Sequence, residues 1–223
     1  MLFVYMDSDK TKDSRFPTSA RASSVTAVTE RNPDGKGVVG FLRDWDYSTP
    51  RGVTAKPSGQ ILADYFTSLL VLSASFSFKP VFNKDYYLYF DDGRWVLSLI
   101  APTEWRSVEK ERAFAGTCRL HDDSTWSIEP AENLRGESLV ADAMAQFFDG
   151  FVEKMQSRDP LEDGLPICEW RLPYYQRLFA AALSRSLKFS MRLGDQTQIP
   201  GKTWLAELPT SAKRLLTRTS SVD

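Results

Sequence analysis

Residues 85–126 constrain the fold more than any other part of this sequence, because they predict two consecutive β-hairpins. In the first hairpin, the dipeptide Asp92-Gly93 supplies the two positive-φ positions of a type I′ turn. A turn centred there pairs Phe90 with Trp95 and places the apolar residues of both strands on one face. The turn chemistry and the apolar pattern therefore require the same register.

The other face of this hairpin carries Tyr87 and Tyr89, which are large enough to bury the surface of a ligand. Pro102 ends the second strand and leaves Glu104 and Trp105 at the margin of the sheet, near the two tyrosines. A carboxylate beside aromatic side chains can hold a small polar ligand. The sequence leaves two alternatives open: a shallow binding site, or a second core in which Trp105 covers the edge and Glu104 is exposed.

The second predicted hairpin pairs residues 114–120 with residues 126–129. A five-residue loop between them sets Leu120 opposite Trp126, so that apolar side chains meet. A two-residue turn on Asp122-Asp123 would instead pair Trp126 with Arg119. Burial therefore favours the longer loop.

The loop of the second hairpin contains His121, the only histidine of the chain, followed by Asp122 and Asp123. A general base oriented by a carboxylate uses these residue types, so a small hydrolase-like enzyme is one alternative function. Against it, neighbours on a turn point in different directions, no G-x-S-x-G motif occurs, and polar residues are ordinary at a hairpin tip. One histidine and two widely spaced cysteines fit no metal-ligand spacing, so we expect no metal and no cofactor.

Three segments predict α-helices. The first has Ser58 as its N-cap and apolar residues at helical spacing as far as Phe76, although its last turn also alternates like a strand. The second covers residues 137–155 and carries one apolar stripe. The third has Pro173 in its first position and ends before Gly194.

These elements predict an α+β fold in which an antiparallel β-meander of about four strands packs against two or three α-helices. We place this single domain at residues 32–194. The segment from about Asp7 to Arg31 is rich in Ser and Thr, and we predict a disordered N-terminal arm over residues 1–31. Residues 195–223 are predicted to be a weakly structured C-terminal tail.

Three glycines at the start of the predicted domain (Gly35, Gly37 and Gly40) spell the dinucleotide-binding fingerprint. That motif functions between a buried strand and the N-terminus of a helix. A polar segment precedes these glycines, and we expect no helix between them and Pro50. We therefore interpret them as turn glycines.

Several short motifs of the hairpin region occur together in a fixed order. They are Tyr86-Tyr-Leu-Tyr89, Asp92-Gly93, Leu97-Ser98, Pro102-x-Glu104-Trp105 and Thr125-Trp126. This arrangement resembles a family known as a domain of unknown function, number twenty-four fifty-two, from the first helix through the second hairpin. The resemblance implies a shared fold core and no particular activity.

The third predicted helix is basic and amphipathic, because no acidic residue occurs between Tyr174 and Leu193. At about 100° per residue, one narrow stripe contains Arg177, Arg185, Lys188 and Arg192. Such a helix can dock on an anionic membrane or on an acidic partner. The ordinary alternative is a solvated face whose positive charges are balanced by the acidic residues of the segment 159–163.

Composition limits the remaining classes of function. The formal net charge is −1, so the chain lacks the basic balance of a nucleic-acid binder. Residues 1–6 are apolar but too short for a signal peptide, and no apolar run reaches the ~20 residues of a membrane span. The two cysteines, read as free thiols, suit a reducing cytoplasm, and a single disulfide between them is the alternative. The function we favour is a non-catalytic interaction or small-ligand-binding module, soluble and cytoplasmic, with an unknown partner.

Overall fold

A computed structural model describes residues 37–105, 112–131, 139–156 and 172–207. In chain order, the described helices and strands are α1 (Val38–Tyr47), α2 (Ser58–Ser73), β1 (Asp85–Asp91), β2 (Arg94–Ser98), β3 (Ala113–Leu120), β4 (Trp126–Pro130), α3 (Leu139–Met155), α4 (Tyr174–Leu193) and α5 (Gly201–Ala206). Helices and one antiparallel sheet occupy separate layers, which confirms the predicted α+β class.

Both predicted hairpin registers are confirmed. Across the first turn Phe90 pairs with Trp95, and across the second loop Leu120 pairs with Trp126. The first turn is closed by Asp92-Gly93, whose φ angles are 47° and 74°. These positive values are those that a type I′ turn requires.

The strand order, β2-β1-β3-β4, differs from the predicted meander because β3 pairs with β1 and not with β2. The cause lies in β1, which buries side chains on both faces: Leu88 is fully buried on one, and Tyr89 on the other. A strand covered on both faces has little water for its backbone groups, so both of its edges must be paired. The central position in the sheet provides that pairing.

The edge of the sheet at β4 is covered by hydroxyl groups from α2. Ser68 Oγ accepts a hydrogen bond from the backbone N–H of Trp126 at 2.9 Å, and Thr67 Oγ1 donates one to the Trp126 carbonyl at 2.8 Å. Backbone groups on a bare strand edge invite pairing with another chain. At Trp126, α2 satisfies those groups within the molecule.

The opposite edge, at β2, is covered by the segment that follows α2. Ser75 N–H donates to the Trp95 carbonyl at 2.8 Å, and Leu97 N–H donates to the Ser75 carbonyl at 3.1 Å. This pairing requires extended backbone at Ser75. It explains why α2 ends at Ser73, short of the predicted end near Phe76, where the sequence alternates like a strand.

Helix α2 is the centre of the helical layer, since it contacts the sheet, α3, α4 and α5. Its Phe66 packs against three phenylalanines of α3, namely Phe147, Phe148 and Phe151, with ring centroids 5.3–5.8 Å apart. The predicted apolar stripe of the second helix is confirmed over residues 139–155. Residues 137–138 and the acidic segment 159–166 lie outside the described residues.

Helix α1 shows that the prediction of turn glycines, with no helix before Pro50, was wrong. Gly37 is the N-cap residue of α1, and Gly40 lies within the helix. The apolar residues of the segment recur at helical spacing, and that period prevails over the glycines. The buried strand that a dinucleotide motif requires would precede Gly37, outside the described residues.

Residues 195–207 are ordered on the core, whereas the sequence analysis expected weak structure from Asp195. Trp204 in α5 is fully buried, and its Nε1 donates a hydrogen bond to the Ile199 carbonyl at 3.0 Å. A single buried tryptophan in a polar segment creates no period, so the pattern could not reveal it. The predicted domain limits at residues 31 and 194 stay predictions.

Candidate functional site

One face of α1 exposes large apolar side chains to solvent. Val38 is 76% exposed, Phe41 41%, Leu42 57% and Trp45 38%. Their spacing of i, i+3, i+4 and i+7 places all four on one side of the helix. We call these four residues the α1 stripe. An apolar stripe at this spacing ordinarily faces a protein core, so α1 is inverted with respect to the usual surface helix.

The inward side of α1 carries a carboxylate. Asp44 is only 6% exposed. Its Oδ1 pairs with Lys79 Nζ at 2.7 Å, and its Oδ2 accepts a hydrogen bond from the Tyr174 hydroxyl at 3.0 Å. The Lys79 ammonium also lies 3.9 Å from the centroid of the Tyr47 ring. Because a buried carboxylate is stable only with such partners, these contacts fix the rotation of α1 and direct the α1 stripe outward.

At the C-terminal end of the α1 stripe lies Arg185 of α4. Its guanidinium carbon is 4.2 Å from the centroid of the Trp45 ring, a cation–π contact. The Nε and Nη2 atoms are shielded from solvent and have no hydrogen-bond partner within the described ranges. Burial lowers the pKa of Arg185. A shielded guanidinium without an acceptor is costly, and its parallel donors match a carboxylate or phosphate.

The structure distinguishes the four basic residues that the sequence placed on one stripe. Arg185 contacts the α1 stripe and Lys188 is half-buried, whereas Arg177 and Arg192 are each already engaged in an interaction. Phe189 is 53% exposed and lies one turn after Arg185. The outer face of α4 near Arg185 is therefore partly apolar and not uniformly cationic.

Of the predicted ligand-binding residues Tyr87, Tyr89, Glu104 and Trp105, the structure brings only Tyr89 and Trp105 into direct contact. Tyr89 is 1% exposed, and its hydroxyl donates to the Ile100 carbonyl at 2.9 Å while accepting a hydrogen bond from Trp105 Nε1 at 2.8 Å. The two rings meet edge to face at 5.7 Å. Burial raises the pKa of Tyr89. This side chain is therefore part of a small second core.

Tyr87 and Glu104, the other two predicted ligand-binding residues, lie at the margin of that second core. Tyr87 is half-buried, 6.4 Å from Phe114 by ring centroids. Glu104 is exposed, and its Oε2 accepts a hydrogen bond from the backbone N–H of Ala101 at 2.8 Å, which closes its own turn. That this group also binds a ligand stays a prediction.

Substitution of the two tyrosines separates the core role from the ligand-binding role. We expect Tyr89→Ser to lower the free energy of unfolding by about 3 kcal/mol or more, because a fully buried ring is removed. Tyr87→Ser should cost less than half as much, since its ring is already half-solvated. Urea denaturation measures both. Equal losses at the two positions would contradict the burial described above.

His121 lies beside a serine. Its Nε2 is 2.8 Å from Ser127 Oγ, on the exposed side of β4. The neighbouring carboxylates are used elsewhere: Asp122 accepts a hydrogen bond from Asn83 Nδ2 at 3.0 Å, and Asp123 pairs with a lysine. Within the described ranges no carboxylate reaches His121, so the orienting group of a catalytic triad is absent there.

An ion cluster that sequence reasoning missed joins α2 to the second hairpin. Lys56 Nζ lies 2.6 Å from Asp64 Oδ2 and 2.6 Å from Asp123 Oδ2. Thr125 donates two hydrogen bonds to the other oxygen of Asp123, from its N–H at 3.0 Å and its hydroxyl at 2.6 Å. Asp123 lies 67 positions after Lys56 in the chain, so no local motif indicated that contact.

The ionisation of this cluster follows from its contacts. Burial alone would lower the pKa of Lys56, but its hydrogen bonds to Asp123 and Asp64 outweigh that effect and leave the pKa raised. Burial alone would raise the pKa of Asp123, but the hydrogen bonds from Lys56 and Thr125 outweigh it and leave the pKa lowered. Both groups are therefore charged at neutral pH.

A double-mutant cycle of Lys56→Met with Asp123→Asn should give a coupling of about 1–3 kcal/mol. The contribution of ionised Asp123 to the free energy of unfolding is fully present above the ordinary carboxyl pKa of 3.8. It is lost as the pH falls through the lower pKa that Asp123 has in the folded protein. The contribution of protonated Lys56 to the free energy of unfolding is fully present below the ordinary lysine pKa of 10.5. It is lost as the pH rises through the higher pKa that Lys56 has in the folded protein. Urea denaturation across this range measures the coupling.

The exposed pair of Arg119 and Asp85, whose side chains are 50% and 44% exposed, is the matched control for this cycle. Its coupling should be about 0–1 kcal/mol. A Lys56–Asp123 coupling no larger than that of the control pair would show that the cluster is only a surface contact.

The described ranges also lack a metal site, a reactive thiol and a membrane-spanning helix. No group of three or more His, Cys, Asp or Glu residues there could hold a metal ion. Burial raises the pKa of the Cys118 thiol, so the sulfur stays protonated and unreactive at neutral pH. No helix of those ranges is long and apolar enough to cross a membrane.

Comparison with known protein families gives a match over the central part of the chain. Residues 58–150 match the family model described as "Protein of unknown function (DUF2452)". This confirms the resemblance over α2 and the two hairpins, and it extends the similarity into α3. Helices α1, α4 and α5 lie outside the match. No curated protein and no solved structure matches the chain significantly.

Proposed function

We propose that this protein is a non-catalytic interaction module of the cytoplasm that binds an acidic amphipathic helix of a partner protein. The docking site is the α1 stripe together with Arg185. The observation that carries the proposal is the shielded guanidinium of Arg185, which lacks an acceptor within the described ranges and lies at the end of an exposed apolar stripe. The free, buried thiol of Cys118 supports a reducing compartment.

The apolar part of the site supplies affinity. Helix-in-groove recognition uses anchors at i, i+3, i+4 and i+7, which is the spacing of the α1 stripe. Burying one side chain of this kind stabilises a complex by about 1.5–3 kcal/mol. Several such anchors offset part of the entropy that association costs, and a transient complex is the expected result.

The charged part of the site supplies selectivity. A glutamate or aspartate from the partner can accept both shielded donors of Arg185, and the adjoining Trp45 ring keeps the guanidinium in place. A partner without an acidic group leaves these donors as unsatisfied as they are in the free protein, whereas a carboxylate acceptor gains about 1.5–3 kcal/mol from a hydrogen bond to the charged group. The site therefore discriminates against apolar helices that lack acid.

A protein partner fits this surface better than an anionic membrane does. Attraction to anionic lipid grows by about 1 kcal/mol for each free cation near the surface. Of the four basic residues on α4, Arg177 and Arg192 are already engaged in interactions. The shielded Arg185 can be reached by a single inserted carboxylate more readily than by a layer of lipid headgroups.

The binding experiment uses a labelled helical peptide of about eighteen residues, with leucines at i, i+3, i+4 and i+7 and flanking glutamates. A control peptide carries lysines in place of the glutamates. Fluorescence anisotropy should give a Kd on the order of 10 μM for the acidic peptide. Arg185→Gln should weaken binding about tenfold, as expected for one charge-assisted hydrogen bond.

Matched variants complete the binding experiment. Leu42→Glu should abolish binding, whereas Arg119→Gln and His121→Ala, both outside the surface, should leave the affinity unchanged. Equal affinity for the acidic and the lysine peptide would contradict the proposal, as would binding that Arg185→Gln leaves intact. Binding to vesicles of anionic lipid with none to the acidic peptide would assign the surface to a membrane instead.

A hydrolase-like enzyme is the second candidate, favoured by the contact between His121 Nε2 and Ser127 Oγ. A serine that a histidine can deprotonate attacks an activated ester. Because no carboxylate orients His121 within the described ranges, we expect no hydrolysis of p-nitrophenyl acetate above that of the His121→Ala variant. A clear loss of hydrolysis in that variant would favour the enzyme.

A further inference from the structure

Helix α1 carries a free carboxylate on the flank of the α1 stripe that lies opposite to Arg185. Around the helix, Asp44 lies about 100° to one side of Trp45 and Asp46 about 100° to the other. Asp44 contacts α4 through the Tyr174 hydroxyl. Arg185 also belongs to α4, so it reaches the Trp45 ring from that side. Asp46 is exposed, and no hydrogen bond or ion pair within the described ranges occupies its carboxylate. The stripe thus has a base on one flank and an acid on the other.

A second copy of the chain is an occupant that matches this arrangement of charge. Rotation by 180° about an axis parallel to α1 brings two α1 stripes face to face and exchanges their flanks. Arg185 and Asp46 both lie at the C-terminal end of the stripe, so each guanidinium meets the carboxylate of the other copy. The two pairs are reciprocal, which is the property that a two-fold interface requires of its surface.

We propose that two copies of this chain associate through parallel α1 helices, with Asp46 of each copy accepting the shielded donors of Arg185 in the other. The inference uses the surface of the proposed docking function but does not require that function to be correct. Association supplies the acceptor that Arg185 lacks within the described ranges. It also covers the α1 stripe, whose side chains are 38–76% exposed. The two cations offset the repulsion between the negative C-terminal ends of parallel helices.

The dimer is expected to be weak, because the helix that forms it is short. Helix α1 is about 15 Å long, whereas a stable interface buries about 800 Å² of each partner. We therefore expect a Kd on the order of 100 μM. At low micromolar concentrations the stripe is then open to a partner helix, and at higher local concentrations the second copy competes for it.

Sedimentation equilibrium of the full chain, from about 10 to about 500 μM, spans the expected Kd and tests the proposal. The average mass of the wild type should rise with concentration toward that of two chains. Arg185→Asp and Asp46→Arg should each weaken association about tenfold or more, since each brings like charges together. An equimolar mixture of the two variants should regain association, because each then offers the charge that the other needs. Arg43→Asp, at an exposed position on the other side of α1, is the matched control and should associate like the wild type.

A wild type that stays monomeric throughout this range overturns the proposal, and so does a dimer that neither charge reversal weakens. Two folded variants whose mixture fails to associate overturn the pairing of Asp46 with Arg185; far-UV circular dichroism like that of the wild type shows that they are folded. Titrating the acidic peptide into about 1 μM protein, where the monomer predominates, keeps the proposed function separate. A monomeric wild type that binds the peptide refutes the dimer and leaves the docking function intact. A dimer whose monomer binds no peptide does the reverse.

Discussion

Replacing Trp204 with alanine is expected to lower the free energy of unfolding by about 3–5 kcal/mol. The side chain is fully buried, and its Nε1 donates a hydrogen bond to the Ile199 carbonyl. Helix α5 contacts both α2 and α3, so the cavity would open between three helices that hold one another in place. Urea denaturation followed by far-UV circular dichroism measures the loss.

Lys202→Ala is the matched control for Trp204, since Lys202 is exposed in the same helix. It should change the free energy of unfolding by less than about 0.5 kcal/mol. If Trp204→Ala were equally mild, α5 would not be part of the core, and the expectation of a weakly structured segment from Asp195 would be correct after all.

Replacing Gly116 with alanine is expected to cost about 3–4 kcal/mol, through overpacking that only the backbone can relieve. Gly116 lies in β3, opposite Leu88, where the register of β1 and β3 shifts and leaves Ala115 as an extra residue. A Cβ there would clash with the carbonyl oxygen of Glu129 and lie 3.1 Å from Cα of Pro130. These atoms belong to the neighbouring strand, so no side-chain rotation removes the clash.

Gly150→Ala provides the comparison for Gly116. A Cβ at Gly150 meets no atom within 4 Å, and the residue lies in α3. Alanine favours a helix over glycine, so this variant should be neutral or more stable by up to about 1 kcal/mol. Thermal unfolding of the two variants and the wild type measures both changes in stability. A mild Gly116→Ala would mean that β3 and β4 do not approach each other as closely as described.

Local chemistry made the hairpins predictable. Asp92-Gly93 selects one turn type, and the position of that turn dictates which residues of β1 and β2 face each other. The strand order was not predictable in the same way, because the pairing of β1 with β3 depends on burial of both faces of β1. That burial arises from helices and loops distant in sequence, such as Trp105 over Tyr89.

The candidate docking site was likewise predictable only where local sequence determines it. The helical period predicted a basic stripe on α4 that includes Arg185. The contact of its guanidinium with Trp45 joins residues 140 positions apart, and no local pattern indicates such a contact. The fingerprint-like glycines also obscured the helical spacing of the α1 stripe. An unexplained i, i+3, i+4, i+7 period near a glycine motif is the signal that would have revealed it.

The family match and the proposed docking site occupy different parts of the molecule. The matched residues 58–150 form α2, the sheet and much of α3. The α1 stripe precedes that segment, and Arg185 follows it. The matched part thus provides a scaffold against which α1 and α4 are held, and the partner specificity that we propose depends on residues outside it.

The most direct test of the docking site is the hydrogen-exchange footprint of the acidic peptide on the full chain. We expect slower exchange in residues 38–47 of α1 and in the turns of α4 around Arg185, with no change in residues 86–105. The footprint should vanish in the Arg185→Gln variant at the same peptide concentration. Protection centred on Tyr87 and Trp105, or protection that persists in Arg185→Gln, would contradict the account and place recognition on the sheet.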